Sequence, residues 1–108
     1  MTDDFEEFVA VELEIEYPEK DGWDLEEQPV LPSGARPDFV LMHKNEMVVV
    51  DAKDKQSLTS ADVRQVADYT DELDADEALI YIASDTEVSD DVEELADELG
   101  VDIVRTDY

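Results

Sequence analysis

The chain has 108 residues, 33 of them Asp or Glu against 7 Lys or Arg, and a formal net charge of −26. With 43% hydrophobic residues in short periodic runs it is too apolar for a disordered acidic tail, and its length suits one domain over residues 1–108. No cysteine is present, which excludes disulfides, thiolate nucleophiles and iron–sulfur clusters and leaves oxygen and nitrogen ligands suited to magnesium or manganese.

No apolar run approaches the roughly 20 residues of a membrane span, and Met1-Thr2-Asp3-Asp4 lacks the basic region of a signal peptide. A cytoplasmic protein with no membrane partner is expected. Phe5, Phe8, Val9 and Leu13 fit a helix stripe with Thr2 to Asp4 as an acidic start and Pro18 as a stop. Val9, Val11, Leu13, Ile15 and Tyr17 also alternate as in a strand, so periodicity alone leaves residues 9–17 open. Asp21-Gly22 marks a turn, and Trp23 to Leu31 reads as a strand with Trp23 and Leu25 on one face. Asp38 to Met42 and Met47 to Ala52 are two further strands joined by a His43-Lys44-Asn45-Glu46 hairpin loop.

Thr59 followed by Asp62 is a capping-box pattern that opens a helix with a core stripe of Val63, Val66, Ala67, Thr70 and Leu73. Ala78 to Ala83 has strand length. Ser89 opens a last helix, lined by Val92, Leu95, Ala96 and Leu99 and closed by Gly100, before a strand from Val101 to Arg105. The order predicts an α/β domain around a mixed central sheet.

The charge is unevenly placed. From Arg36 to Arg64 lie five basic residues (Arg36, Lys44, Lys53, Lys55, Arg64) and five acidic ones (Asp38, Glu46, Asp51, Asp54, Asp62), so the excess sits entirely on the flanks. That neutral window is either a covered region or a surface that meets something anionic. Arg36, Lys55 and Arg64 are phosphate-contact candidates there, although charge balance also accounts for them. His43 reads as a solvated loop residue and Trp23 as a packing residue.

Within the window, Pro37-Asp38 opens one strand and Asp51-Ala52-Lys53 ends the next, 13 residues from Asp38 to Asp51. In a hairpin both carboxylates can converge at one end of the sheet, with Asp51 and Lys53 on one face. Two carboxylates and an ammonium suit metal-assisted phosphodiester hydrolysis, in which the cation polarises the phosphoryl oxygen and acidifies water. A surface proline turn and an ordinary strand-end ion pair would give the same letters.

This arrangement resembles the PD-(D/E)XK, or restriction-endonuclease-like, nuclease superfamily. The resemblance implies an αβββαβ core. Asp38 and Asp51 would be catalytic metal ligands helped by the Ala52 carbonyl, and Lys53 the catalytic lysine. It also implies a glutamate from the first helix, which favours helix over residues 9–17 and makes Glu6 the first candidate, with Glu7 and Glu12 behind it. Gln65 and Tyr69 are similar to the Q-x-x-x-Y pair of RecB-like exonucleases, which supports the lysine and the DNA. Magnesium or manganese would be the cofactor and nucleic acid, DNA before RNA, the substrate. Archaeal Holliday junction resolvases and RecB- and Mrr-like nucleases are similar in size and spacing, and the resolvases make a homodimer an expectation.

The scarcity of lysine beside an intact hydrophobic fraction resembles proteins of salt-accumulating halophilic archaea. About 8 Å of screening at physiological salt leaves such a surface strongly self-repelling, and molar salt removes most of the penalty. The competing readings of the same acidity are a DNA mimic, an acidic chaperone-like protein and a non-catalytic nucleic-acid binder.

Overall fold

A computed structural model describes residues 4–108; Met1, Thr2 and Asp3, and with them most of the expected acidic helix start, lie outside the described residues. The first segment is helix α1, Asp4–Glu16, which resolves the 9–17 ambiguity in favour of helix. Phe5, Val9 and Leu13 recur every fourth residue and are buried together, whereas strand alternation would bury Val11 and Ile15, both of which face solvent. The helix stops where Pro18 follows Tyr17, whose N–H makes a last bond to the Leu13 carbonyl.

After a single 3-10 turn at Glu19–Asp21 come β1 (Asp24–Glu27), β2 (Phe39–His43) and β3 (Glu46–Lys53). They pair antiparallel in the order β1-β2-β3, and the hairpin turn is only Lys44-Asn45, with Lys44 at φ +55°. The strand expected over Trp23 to Leu31 is shorter than the sequence suggested. Gln28 turns into the left-handed region at φ +49° and Pro29 has no N–H for a ladder, so pairing ends at Glu27.

Helix α2 (Ser60–Leu73) returns the chain so that β4 (Glu77–Ile82) lies parallel to β3, and α3 (Asp90–Leu99) does the same for β5 (Val101–Arg105). The capping box is present in full: the Asp62 N–H donates to Thr59 Oγ1 at 3.2 Å and the Thr59 N–H to Asp62 Oδ2 at 2.9 Å. Gly100 closes α3 at φ +72°. Two stripe assignments need correction. Leu99 is 41% exposed because α3 ends beside it, and Tyr69, read as lying beside the α2 stripe, is only 8% exposed.

The sheet has apolar clusters on both faces. Phe39, Leu41, Val48, Val50 and Leu79 meet α1, and Val49, Ala78, Ile80, Ile82 and Val101 meet α2 and α3. Val48, Val49 and Val50 are fully buried, each contributing about 1.5–3 kcal/mol of burial. His43 is not a solvated loop residue. It ends β2 half-buried, its ring tilted against Trp23 with centroids 4.9 Å apart and its Nε2 2.9 Å from the Asp21 carbonyl oxygen. At the other end of the sheet, Arg105 Nη1 donates to the carbonyls of Ala83, Ser84 and Thr86 at 3.3, 3.0 and 2.7 Å. Among the described residues the ion pairs are Lys53 with Asp51 and Lys55 with Asp62, and no helix is long and apolar enough to cross a membrane.

Candidate functional site

The β2–β3 ladder stops at Phe39 opposite Val50. One step further the same register would set Asp38 opposite Asp51 and Pro37 opposite Ala52, but proline has no N–H to give. Side chains take over there. The Asp38 N–H donates to Asp51 Oδ1 at 3.0 Å, and the Ala52 N–H donates to Asp38 Oδ2 at 2.8 Å. The two carboxylates thus bracket the point where the strands part, at the C-terminal end of β3, each held by backbone.

Asp51 is 2% exposed, and its other oxygen, Oδ2, lies 3.1 Å from Lys53 Nζ. Two residues apart on a strand, both side chains project from the α2 face. Lys53 Nζ also donates to Gln65 Oε1 at 3.2 Å, and Tyr69 lies one helical turn on from Gln65 in the same groove. Asp51, Lys53 and Gln65 therefore form one polar chain from strand to helix, with Tyr69 beside it.

Burial and the neighbouring charge of Asp51 push the Asp38 carboxyl up to about 7; the Ala52 N–H and Lys53 oppose the rise and Glu6 adds to it. For Lys53, burial acts to lower the pKa but the adjacent Asp51 carboxylate outweighs it, so the ammonium is held more firmly than usual. Burial, with the Asp51 charge, raises the Tyr69 phenol. The site thus holds a fixed cation beside a carboxyl poised near neutrality.

Glu6 enters from α1, on the opposite side of the sheet, close enough to act on Asp38 electrostatically. Glu7 is exposed and Glu12 half-buried; Glu12 lines a groove with Tyr17 and Tyr81 instead. Among the described residues no three His, Cys, Asp or Glu side chains stand together as a metal-holding group, so the carboxylates form a pair with Glu6 outside it.

Of the three phosphate-contact candidates, Lys55 is engaged by Asp62 at 2.8 Å, while Arg36 and Arg64 are exposed. Arg64, Gln65 and Tyr69 line one wall of a groove of about 550 Å³ beside Ser33 and Ala35. Two bonds from Ser33 to the Glu72 carboxylate, at 3.0 and 2.7 Å, tie the opposite wall to α2. Two residues that matter here escaped the sequence reading. Thr86 is buried and donates to the Lys55 carbonyl at 2.7 Å, and Gln28 donates from Nε2 to Glu6 Oε2 at 3.3 Å. A strand-ending Gln-Pro pair was the only signal for Gln28.

No protein-family model matches the sequence, and no curated protein does. Solved structures do match. The EndoMS complex with double-stranded DNA superposes with a TM-score of 0.65 and 18% identity over 98% of this chain and 46% of that one. SfsA of Pyrococcus furiosus, in complex with Ca2+, gives 0.57 and 16% over 94% and 53%. Hjc of Archaeoglobus fulgidus, a Holliday junction resolvase, gives 0.50 and 21% over 82% and 68%. The chain spans about half the length of the first two. The superpositions cover most of its residues, and the chain accordingly has the restriction-endonuclease-like fold.

Proposed function

We propose that the chain is a divalent-metal-dependent nuclease that hydrolyses phosphodiester bonds in DNA. The observation that carries the reading is the meeting of Asp38, Asp51 and Lys53 where β2 and β3 part. The donors fit a small hard cation. Two carboxylates and the Ala52 carbonyl are oxygen ligands, and magnesium or manganese commonly takes one or two carboxylates and completes its shell with water and substrate phosphate. The same set is too sparse for an all-protein calcium cage. Asp38 and Asp51 would hold the ion, with Glu6 beside them; the ion would supply Lewis acidity at the phosphoryl oxygen and acidify the attacking water.

The remaining chemistry belongs to side chains. Lys53, kept charged by Asp51 and aimed by Gln65, donates toward a phosphate oxygen and offsets charge developing on it. Tyr69 lies beside Gln65 on α2. Arg64 supplies a phosphate contact along the groove that starts at Gln65, and the exposed Arg36 and Lys55 are further cations for the same backbone. The EndoMS–DNA complex and the Hjc Holliday junction resolvase, two proteins of this fold, support DNA as substrate; a homodimer as the working unit is part of the same proposal. The acid excess supports a halophilic setting; a cytoplasmic role in DNA repair or recombination is part of the same proposal.

A cleavage panel in 2 M KCl with magnesium or manganese tests the reading on four-way junction, linear duplex, single strand and RNA. The parent should cut at least one DNA. Asp51→Asn should lose cleavage by orders of magnitude together with cation binding, whereas Lys53→Met should lose cleavage and keep the cation. Variants that cut as the parent does would remove the site, and a parent that cuts nothing would transfer the fold to the non-catalytic binding class.

A further inference from the structure

Gln28 touches both halves of the site. Its backbone N–H donates to the Asp38 carbonyl at 2.8 Å, just beyond the last β1–β2 pair. Its side chain donates from Nε2 to Glu6 Oε2 at 3.3 Å. It does so from φ +49°, a left-handed conformation that a residue with a Cβ adopts at a cost and that glycine or asparagine would fill more readily. The adjoining Pro29 removes the N–H that would draw the chain onward along the sheet.

The strain has a geometric result. An extended Gln28 would continue β1 along the sheet edge; the left-handed turn brings its amide to α1 instead. Glu6 lies on a helix packed against the opposite sheet face from Lys53 and Gln65, and the Gln28 amide reaches it from the end of β1. We infer that Gln28 is a positioning residue, which joins the Glu6 carboxylate of α1 to the Asp38–Asp51 pair through one side-chain and one backbone hydrogen bond. The inference rests on the proposed cation site. It adds a residue that touches neither cation nor substrate and acts through Glu6.

Gln28→Gly separates positioning from scaffolding. Glycine keeps the backbone bond to Asp38 and relieves the positive φ, so the melting temperature in EDTA should be equal to or above that of the parent. Loss of the amide should nonetheless weaken manganese binding, measured by calorimetric titration in 2 M KCl, by about tenfold, the low end for loss of an outer partner. Gln28→Asn, which accepts the same backbone but has a shorter side chain, should recover only part of the loss. A cycle with Glu6→Gln completes the test, since Gln28→Gly should add nothing once the Glu6 charge is gone.

Parent-like manganese affinity in Gln28→Gly, with Glu6→Gln weakened, would overturn the positioning role and leave the cation site standing. Additive losses in the double variant would overturn it equally. If the parent itself bound no manganese, the cation site would fall first, and the positioning role with it.

Discussion

Protons and a divalent cation should compete for Asp38. Its carboxyl is pushed up to about 7, first by burial and then by the Asp51 charge, so near neutral pH a cation must displace a proton that an ordinary aspartic acid has already lost. Well below pH 7 the affinity should therefore fall about tenfold per unit, and about 50-fold from pH 7 to 5, equivalent to roughly 2.3 kcal/mol. Manganese calorimetry in 2 M KCl across pH 5 to 8.5 measures this. Repeating it in two buffers of different ionisation enthalpy should show about one proton released per ion at pH 6 and almost none at pH 8.5. Without metal the sign reverses. A carboxyl whose folded pKa lies above its unfolded value contributes stability that is complete below about pH 4 and lost as pH rises through about 7. The parent should gain more stability than Asp38→Asn when EDTA-treated protein is taken from pH 8 to 5.5. In Asp51→Asn the Asp38 carboxyl carbon should titrate lower by NMR, one of its two largest causes being gone. Equal manganese affinity at pH 5.5 and 8, with no proton release, would refute the account.

Salt should stabilise the fold, with a higher melting temperature by circular dichroism in 2 M KCl than in 0.1 M; equal values would remove the halophilic explanation of the acidity. Thr59→Ala deletes one bond of the α2 capping box and should cost about 1 kcal/mol in urea unfolding, with the sheet intact by circular dichroism. Leu41→Ala empties a fully buried position between sheet and α1 and should cost about 2–5 kcal/mol in the same assay. An effect below 0.5 kcal/mol would mean the α1 side of the core is loosely packed.

Helix starts, strand positions and the approach of Asp38 to Asp51 were legible because each depends on local chemistry. Thr59 and Asp62 cap α2 from three residues apart, and a two-residue period puts Asp51 and Lys53 on one face whatever lies around them. Tyr69 shows the limit. Its burial depends on where α2 docks relative to β3 and the 32–35 loop, which the helical period does not encode. His43 was misread for the same reason, since the aromatic ring that takes it out of solvent belongs to Trp23, twenty residues away in sequence and adjacent only after β1 pairs with β2. Gln28 was hidden because a positive φ at a non-glycine residue leaves no mark on composition or periodicity.

Arg105 is bound to three carbonyl oxygens, not to carboxylates, and this changes what ions in solution can do. With 33 acidic residues and only two ion pairs among the described residues, rising ionic strength finds many repulsions to quiet and hardly any attractions to weaken. The two pairs respond differently. Lys53 faces an Asp51 side chain that is 3% exposed and stays bound, whereas the Lys55 side chain is 41% exposed and its hold on Asp62 is open to screening. If salt steadies the sheet as predicted, the same medium would also loosen one ammonium at the rim of the proposed site, while its neighbour two residues back stays in place.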